Sequence, residues 1–216
     1  MHPPPDPPKK NPAAYGSRTG IADKIEARTY KTIDAFFALQ YFEGAGYTFS
    51  ADLFKFYLSN PGPNSDFTIK SEHFQKTVST TNVRDTISMC LDGIIEQARL
   101  DPQVGILREL TSDWKGCGPT EDPDVEFGIG HFDVSVGSDT IVRSRDDGLY
   151  AELSYKVYVW DYYNFETKNW IPFGNVKRNQ ANSIGNHMRD LEEFGWARSF
   201  IARGQSDTIQ TWTQRL

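Results

Sequence analysis

The apolar residues keep one spacing in the first half of the chain and another in the second, so no single type of secondary structure serves both halves. Ile21, Ile25, Ile33, Phe36, Phe37 and Tyr41 recur at helical steps until Gly44-Ala45-Gly46 ends the run. Ser50 is placed to cap a short helix carrying Leu53, Phe54 and Tyr57, which stops at Asn60-Pro61-Gly62-Pro63. After Asn82, the residues Val83, Ile87, Cys90, Leu91, Ile94, Ile95 and Ala98 form one stripe that ends before Asp101-Pro102. Beyond that point the period becomes two. Val125, Phe127 and Ile129 alternate, and Phe132, Val134 and Val136 continue on the other parity, a slip at Gly130 that a β-bulge would produce. Residues 140–143 and 149–159 flank Arg145-Asp146-Asp147-Gly148, a hairpin turn in which Gly tolerates positive φ. Neither face of the strand through Tyr155, Val157 and Val159 is very polar, because Tyr158 and Trp160 occupy the other side, so both faces are expected to be covered. A helix through Ala181, Ile184, Met188 and Leu191, capped by Gly195, precedes two short strands over 196–203 and 208–212.

The sequence therefore predicts one α+β domain over residues 21–216. Its helices come first (21–115), followed by an antiparallel, partly barrel-like sheet interrupted by a helix (116–216). Six of the twelve prolines fall in residues 1–12, and this stretch reads as a polyproline tail or linker covering residues 1–20, not as a secretory signal. With 13% aromatic residues among 216, the chain is too rich in core formers to be disordered. Its 29 acidic residues against 23 basic ones give a net charge of −6, which argues against a general nucleic-acid binder. No run approaches the ~18 apolar residues of a membrane span, so the resting form is expected to be soluble. Two cysteines are too few for a disulfide scaffold or a thiolate zinc site. Cys90 falls in a core stripe and Cys117 in a glycine-rich turn, and the sequence leaves open whether they pair.

The common phosphate-loop, serine-hydrolase, zinc-protease and C-x-x-C motifs are absent. The densest candidate is Trp160-Asp161-Tyr162-Tyr163-Asn164-Phe165, at the end of the long apolar strand. A carboxylate on an apolar strand face is desolvated, which suits Asp161 to proton transfer or to a divalent metal such as Mg, while Tyr163 could donate to an oxyanion. The alternative is that Asp161 and Asn164 simply build the turn after the strand. His131 and Asp133 share one parity, either as base and orienter, as two metal ligands, or as the wet face of a half-buried strand. Glu121, Asp122 and Asp124 form either a cation site or a solvated loop. Arg198, Arg203 and Arg215, with Lys177 and Arg178, make the last forty or so residues locally basic and could meet phosphate or lipid headgroups; they could equally balance the acidic middle. Phe36-Phe37 and Phe54-Lys55-Phe56-Tyr57 read as a membrane-active stripe or, more economically, as core. His73 falls in a polar, loop-like stretch, and His187 lies beside the late helix's apolar stripe.

One further pattern runs through the second half: a hairpin, V-x-V-x-D-x-Y-N-F over residues 157–165, a helix, Phe194-Gly195-Trp196-Ala197-Arg198-Ser199-Phe200, Arg203-Gly204 and a closing Trp212. Together with Ala38-Leu39-Gln40-Tyr41-Phe42-Glu43-Gly44-Ala45-Gly46, this order is similar to C-terminal toxin domains of bacterial polymorphic toxins, the cargo of type VI and related secretion systems. The Asp161–Phe165 segment also resembles the D-x-Y-D-F segment of colicin M-like toxins, which hydrolyse the peptidoglycan precursor lipid II with acidic residues, a His-Arg pair and a divalent metal. Asp161 and Tyr163 match that segment. Asn164 stands where the pattern has Asp, and Thr167-Lys168-Asn169-Trp170 follows in place of His-Arg; an amide cannot serve as a carboxylate base.

The resemblance implies an antibacterial effector delivered by a secretion machine into the target envelope. It would hydrolyse a lipid-linked precursor with Asp161, Tyr163, Asn164, His131 and Asp133, with Arg198 and Arg203 binding substrate. The alternative is a non-catalytic toxin that permeabilises the membrane through the aromatic helices, and a third reading is a plain binding module. A toxin of either kind implies a carrier or delivery protein and a cognate immunity protein, for which the acidic surface favours a basic partner.

Overall fold

A computed structural model of the protein describes residues 1–165 and 178–216. In chain order the elements are α1 (Ile21–Thr32), α2 (Asp34–Gly44), α3 (Thr48–Leu58), β1 (Asp66–Thr68), α4 (Ser71–Ser79), α5 (Thr81–Leu100), β2 (Leu107–Thr111), β3 (Lys115–Cys117), α6 (Pro123–Ile129), β4 (Phe132–Arg145), β5 (Gly148–Tyr163), α7 (Arg178–Glu193), β6 (Phe200–Gln205) and β7 (Gln210–Arg215). The class is α+β, with most of the helices ahead of the sheet. The Thr167–Trp170 stretch, Lys177, and the side chains of Arg178, Ala181 and Ile184 named above lie outside the described residues.

The sheet has seven strands in the order β1-β6-β5-β4-β2, with β3 also on β4 and β7 also on β5. Its spine is the β4–β5 hairpin, paired without a break from Asp133↔Trp160 to Arg145↔Gly148 and closed by the two-residue turn Asp146-Asp147. Each spine strand meets two short partners in succession: β4 takes β3 and then β2, and β5 takes β7 and then β6. The expectation of a partly closed antiparallel barrel is corrected on two points. The sheet is open, and its last pair, β1 with β6, is parallel. The edge strand β1 has only three residues and went unrecognised in the sequence because so short a segment shows no period.

Period two divides the sheet into two faces. Val134 and Val136 of β4, Val157 and Val159 of β5, and Phe200 and Ala202 of β6 share the parity that faces the helices, and all are buried. α5 covers β4 with Cys90, Leu91, Ile94 and Ile95; the Cys90 Sγ lies 3.7 Å from the Val134 carbonyl oxygen. Cys90 and Cys117 are both buried and unpaired, and burial pushes both thiols up. An aromatic cluster fills the space beneath α3: Tyr163 stacks on Phe200 at 4.8 Å and Tyr57 lies 5.0 Å from Phe165.

Four local expectations are corrected. Val125, Phe127 and Ile129 belong to α6 and not to a strand. Asp122 accepts hydrogen bonds from the N–H groups of Asp124 (2.9 Å) and Val125 (3.2 Å), and Pro123 supplies a preset first turn. Gly130 then ends this helix at φ 50°, so the parity slip is a helix terminus and not a bulge. Ser50 lies inside α3 instead of capping it, and His73 is buried in α4, stacked on Phe49 at 4.9 Å.

Glu121, at the start of the acidic run, is exposed as in a solvated loop, but Asp124 is not. It is buried and accepts from the N–H groups of Phe49 (3.2 Å) and Ser50 (2.8 Å), with Lys76 Nζ at 2.9 Å. Burial alone would raise its pKa, but the Ser50 N–H, Lys76 and the Phe49 N–H outweigh that and hold the carboxyl below the usual range. Asp124→Ala strands two buried N–H groups and removes the partner of Lys76, so it is expected to cost about 2–5 kcal/mol in urea unfolding. Asp122→Ala, the loss of a cap, is expected to cost nearer ~1 kcal/mol.

Candidate functional site

The strand register separates the predicted site residues. Asp161 and Tyr163 have the parity of Val157 and Val159 and point into the helix-covered layer, whereas Asp133 pairs with Trp160 on the opposite, outer face. Asp161 is 8% exposed, and among the described residues no side chain donates a hydrogen bond to it. Burial, and secondarily the Asp133 charge, hold it well above the usual carboxylate range, against the pull of Lys10. Tyr163 lies in the aromatic cluster, and burial pushes its hydroxyl up as well. Asp133 is raised by burial and lowered by Lys10, whose Nζ is 4.0 Å away. His131 precedes β4 and is exposed, with no hydrogen bond to Asp133. Among the described residues no group of three His, Cys, Asp or Glu side chains is placed to hold a metal.

The outer face carries Asp133, Ser135, Gly137 and Asp139 from β4, Tyr158 and Trp160 from β5, Arg203 and Gln205 from β6, and Asp66 and Thr68 from β1. The N-terminal segment, which its composition marks as a tail or linker, lies along this face. The Trp114 indole donates to the Pro5 carbonyl (2.9 Å) and the Tyr158 hydroxyl to the Met1 carbonyl (3.1 Å). Arg203 holds Asp6 with two nitrogens, Nη1 at 2.6 Å and Nη2 at 2.5 Å, and turns its Nε to Asp66 at 2.6 Å. That grip depresses the Asp6 carboxyl, with burial opposing, and raises the guanidinium further. Asn164 donates to the carbonyls of Lys10 (2.9 Å) and Asn11 (3.2 Å), and Lys9 sits 5.5 Å over the Tyr162 ring. Between Pro3 and the sheet remains a pocket of about 340 Å³, lined by Trp114, Tyr158, Trp160 and Arg203. The buried Trp160 indole N–H stands beside Asp6 without closing a hydrogen bond of good geometry, and it adds to the lowering of that carboxyl.

The predicted residues are thus not gathered into one centre. Arg203 and Asp133 lie on the outer face, and Asn164 anchors the segment above it. Arg198 is elsewhere, its guanidinium 3.5 Å over the Tyr15 ring. Arg215 is exposed and paired with Asp147. Sequence reasoning missed Asp6, Trp114 and Trp160 as one group. The available signal was a proline-rich segment in the same chain as a sheet with tryptophan and tyrosine on its second face. No family model, curated protein or solved structure matches the chain.

A carboxyl with a raised folded pKa keeps a proton that the unfolded chain gives up near the ordinary value of about 3.9, so stability falls as pH rises from there towards the folded value. Asp161→Asn keeps the neutral shape without that proton. The variant is therefore expected to melt at a higher temperature than the parent at neutral pH, with the gap closing below about pH 4; thermal unfolding followed across pH checks this.

Proposed function

We propose that this chain is a toxin domain of the bacterial polymorphic type that acts at the envelope of a target cell, and that it engages the membrane through α1 and α2. The sequence resemblance supports the class. The observation that carries the mode is the outer surface of these two helices. Phe36 is 54% and Phe37 63% exposed, and Ile21, Ile25 and Ile33 are exposed as well. Solvent-facing phenylalanines at consecutive positions of α2 have no role in the core, so the more economical sequence reading fails for Phe36 and Phe37, while it holds for Phe54 and Tyr57. Exposed Lys24 and Arg28 flank the isoleucines, as suits a helix lying among anionic headgroups. Among the described residues no helix is long and apolar enough to cross a membrane, and α1 and α2 have 12 and 11 residues, so the contact is interfacial. Such an effector calls for a delivery protein and an immunity protein, and covering this apolar surface would be one way to neutralise it.

Hydrolysis of a lipid-linked precursor is the second reading. It is favoured by Asp161 and Asp133 standing at the same end of the hairpin with both carboxyls raised. One experiment separates the two. The chain and its variants are added to anionic vesicles filled with dye, and are also expressed with a periplasm-directing signal while membrane potential is recorded. Phe36→Ser with Phe37→Ser is expected to abolish leakage and depolarisation without loss of fold, and Asp161→Asn to leave both intact. Lysis with intact potential that Asp161→Asn abolishes would replace the membrane reading with the hydrolase.

A further inference from the structure

We infer that the outer face of the sheet is a binding site for a proline-rich peptide bearing a carboxylate, and that residues 1–8 of the chain are its tethered ligand. This does not rest on the toxin reading.

The segment bends at Pro5 and otherwise has no regular structure, but its burial repeats as a bound polyproline strand's would. Met1, Pro4 and Pro7 are its less exposed residues, and a repeat of three is that of polyproline II. Such a strand has no internal hydrogen bonds, so a receptor recognises it by donating to its carbonyls and packing aromatic rings against its prolines. Trp114 and Tyr158 do the first, with an indole N–H on Pro5 and a hydroxyl on Met1. The sheet is also shaped for the crossing. A Cβ on Gly137 would lie 2.4 Å from the His2 carbonyl oxygen, so the backbones meet only because this strand position has no side chain.

Charge sets the ligand's identity. Arg203 presents a two-nitrogen fork to Asp6, a geometry that matches a carboxylate and that an ammonium could not reproduce. The buried Trp160 N–H beside it is a second donor on the same side, and it too helps to depress the Asp6 carboxyl. The remaining pocket beside Pro3 shows that the segment does not fill the groove, as expected of a tethered ligand that can exchange. A peptide in trans must then compete with a segment held nearby at high effective concentration, so binding emerges once the tethered copy is weakened.

The test uses the full chain, labelled with 15N, and the indole N–H signals of its five tryptophans. In Asp6→Ala the Trp114 signal is expected to shift away from its position in the parent. A synthetic peptide of residues 1–10, added to millimolar concentration, is expected to return it. The same peptide with Ala in place of Asp should not, and neither should the intact peptide added to Asp6→Ala with Arg203→Gln. Because Arg203 also holds Asp66, a second variant keeps the test independent of the β1–β6 edge. Trp114→Phe in the Asp6→Ala background retains the ring but loses the donor, and should weaken the peptide about fivefold, one hydrogen bond's worth, read on the Trp160 signal. A Trp114 signal identical in the parent and Asp6→Ala would overturn the inference. So would a spectrum unmoved by several-millimolar peptide, or equal binding of the peptide without Asp.

Discussion

A long hairpin with apolar and aromatic side chains on both faces cannot leave either face in water, and the rest of the molecule follows from that. One face of β4–β5 carries Val134, Val136, Val157 and Val159 and is covered by helices; the other carries Tyr158 and Trp160 and is covered by the N-terminal segment. The two covers differ because the two surfaces differ. Branched aliphatic side chains call for a helix layer that fits among them, whereas aromatic rings, an arginine and a glycine leave a shallow groove that a single extended strand can occupy. The segment between this strand and α1 is fastened too. Gly16 donates to the Glu192 carbonyl (3.1 Å) and Arg18 pairs with Asp190 and Glu193, so the chain is pinned to the end of α7 before α1 begins.

The same constraint accounts for the fate of the predicted catalytic residues. Alternation along β5 correctly puts Asp161 and Tyr163 on the face of Val157 and Val159, but that face belongs to the helix layer. Desolvation raises the Asp161 pKa as expected from its apolar surroundings, yet the burial that perturbs it also removes it from open solvent. A perturbed pKa marks a functional candidate only when a cleft leads to it. The open cleft lies one residue away, on the side of Trp160.

Much of the fold was legible because its longest elements have the clearest period. The stripe from Val83 to Ala98 became α5, and the Asp146-Asp147 turn joined the two long strands. The failures have local causes. Val125, Phe127 and Ile129 alternate in a stretch too short to tell period two from period 3.6, and the deciding signal was Asp122-Pro123, a capping residue followed by a first-turn proline. His73 was missed because α4 is a nine-residue helix with a polar sequence, held by the stacking of His73 on Phe49. The outer-face site was illegible for a different reason. Asp6, Trp114, Trp160 and Arg203 come from four distant parts of the chain, and no spacing rule links them.

Arg203 illustrates how position changes the meaning of a charged residue. Read as part of a basic C-terminal stretch, it is a candidate for phosphate or lipid headgroups. In the structure it carries two carboxylates, Asp6 and Asp66, at 2.6 Å each. One guanidinium between two carboxylates leaves the local balance negative, so the site offers no net attraction to a further anion while both remain. Asp66 is fixed in β1, where its backbone pairs with β6, whereas Asp6 belongs to a segment held by a few hydrogen bonds on a groove it only partly fills. Any anionic group that reaches Arg203 must therefore do so by taking the place of Asp6, which makes the N-terminal segment the determinant of what this face can bind.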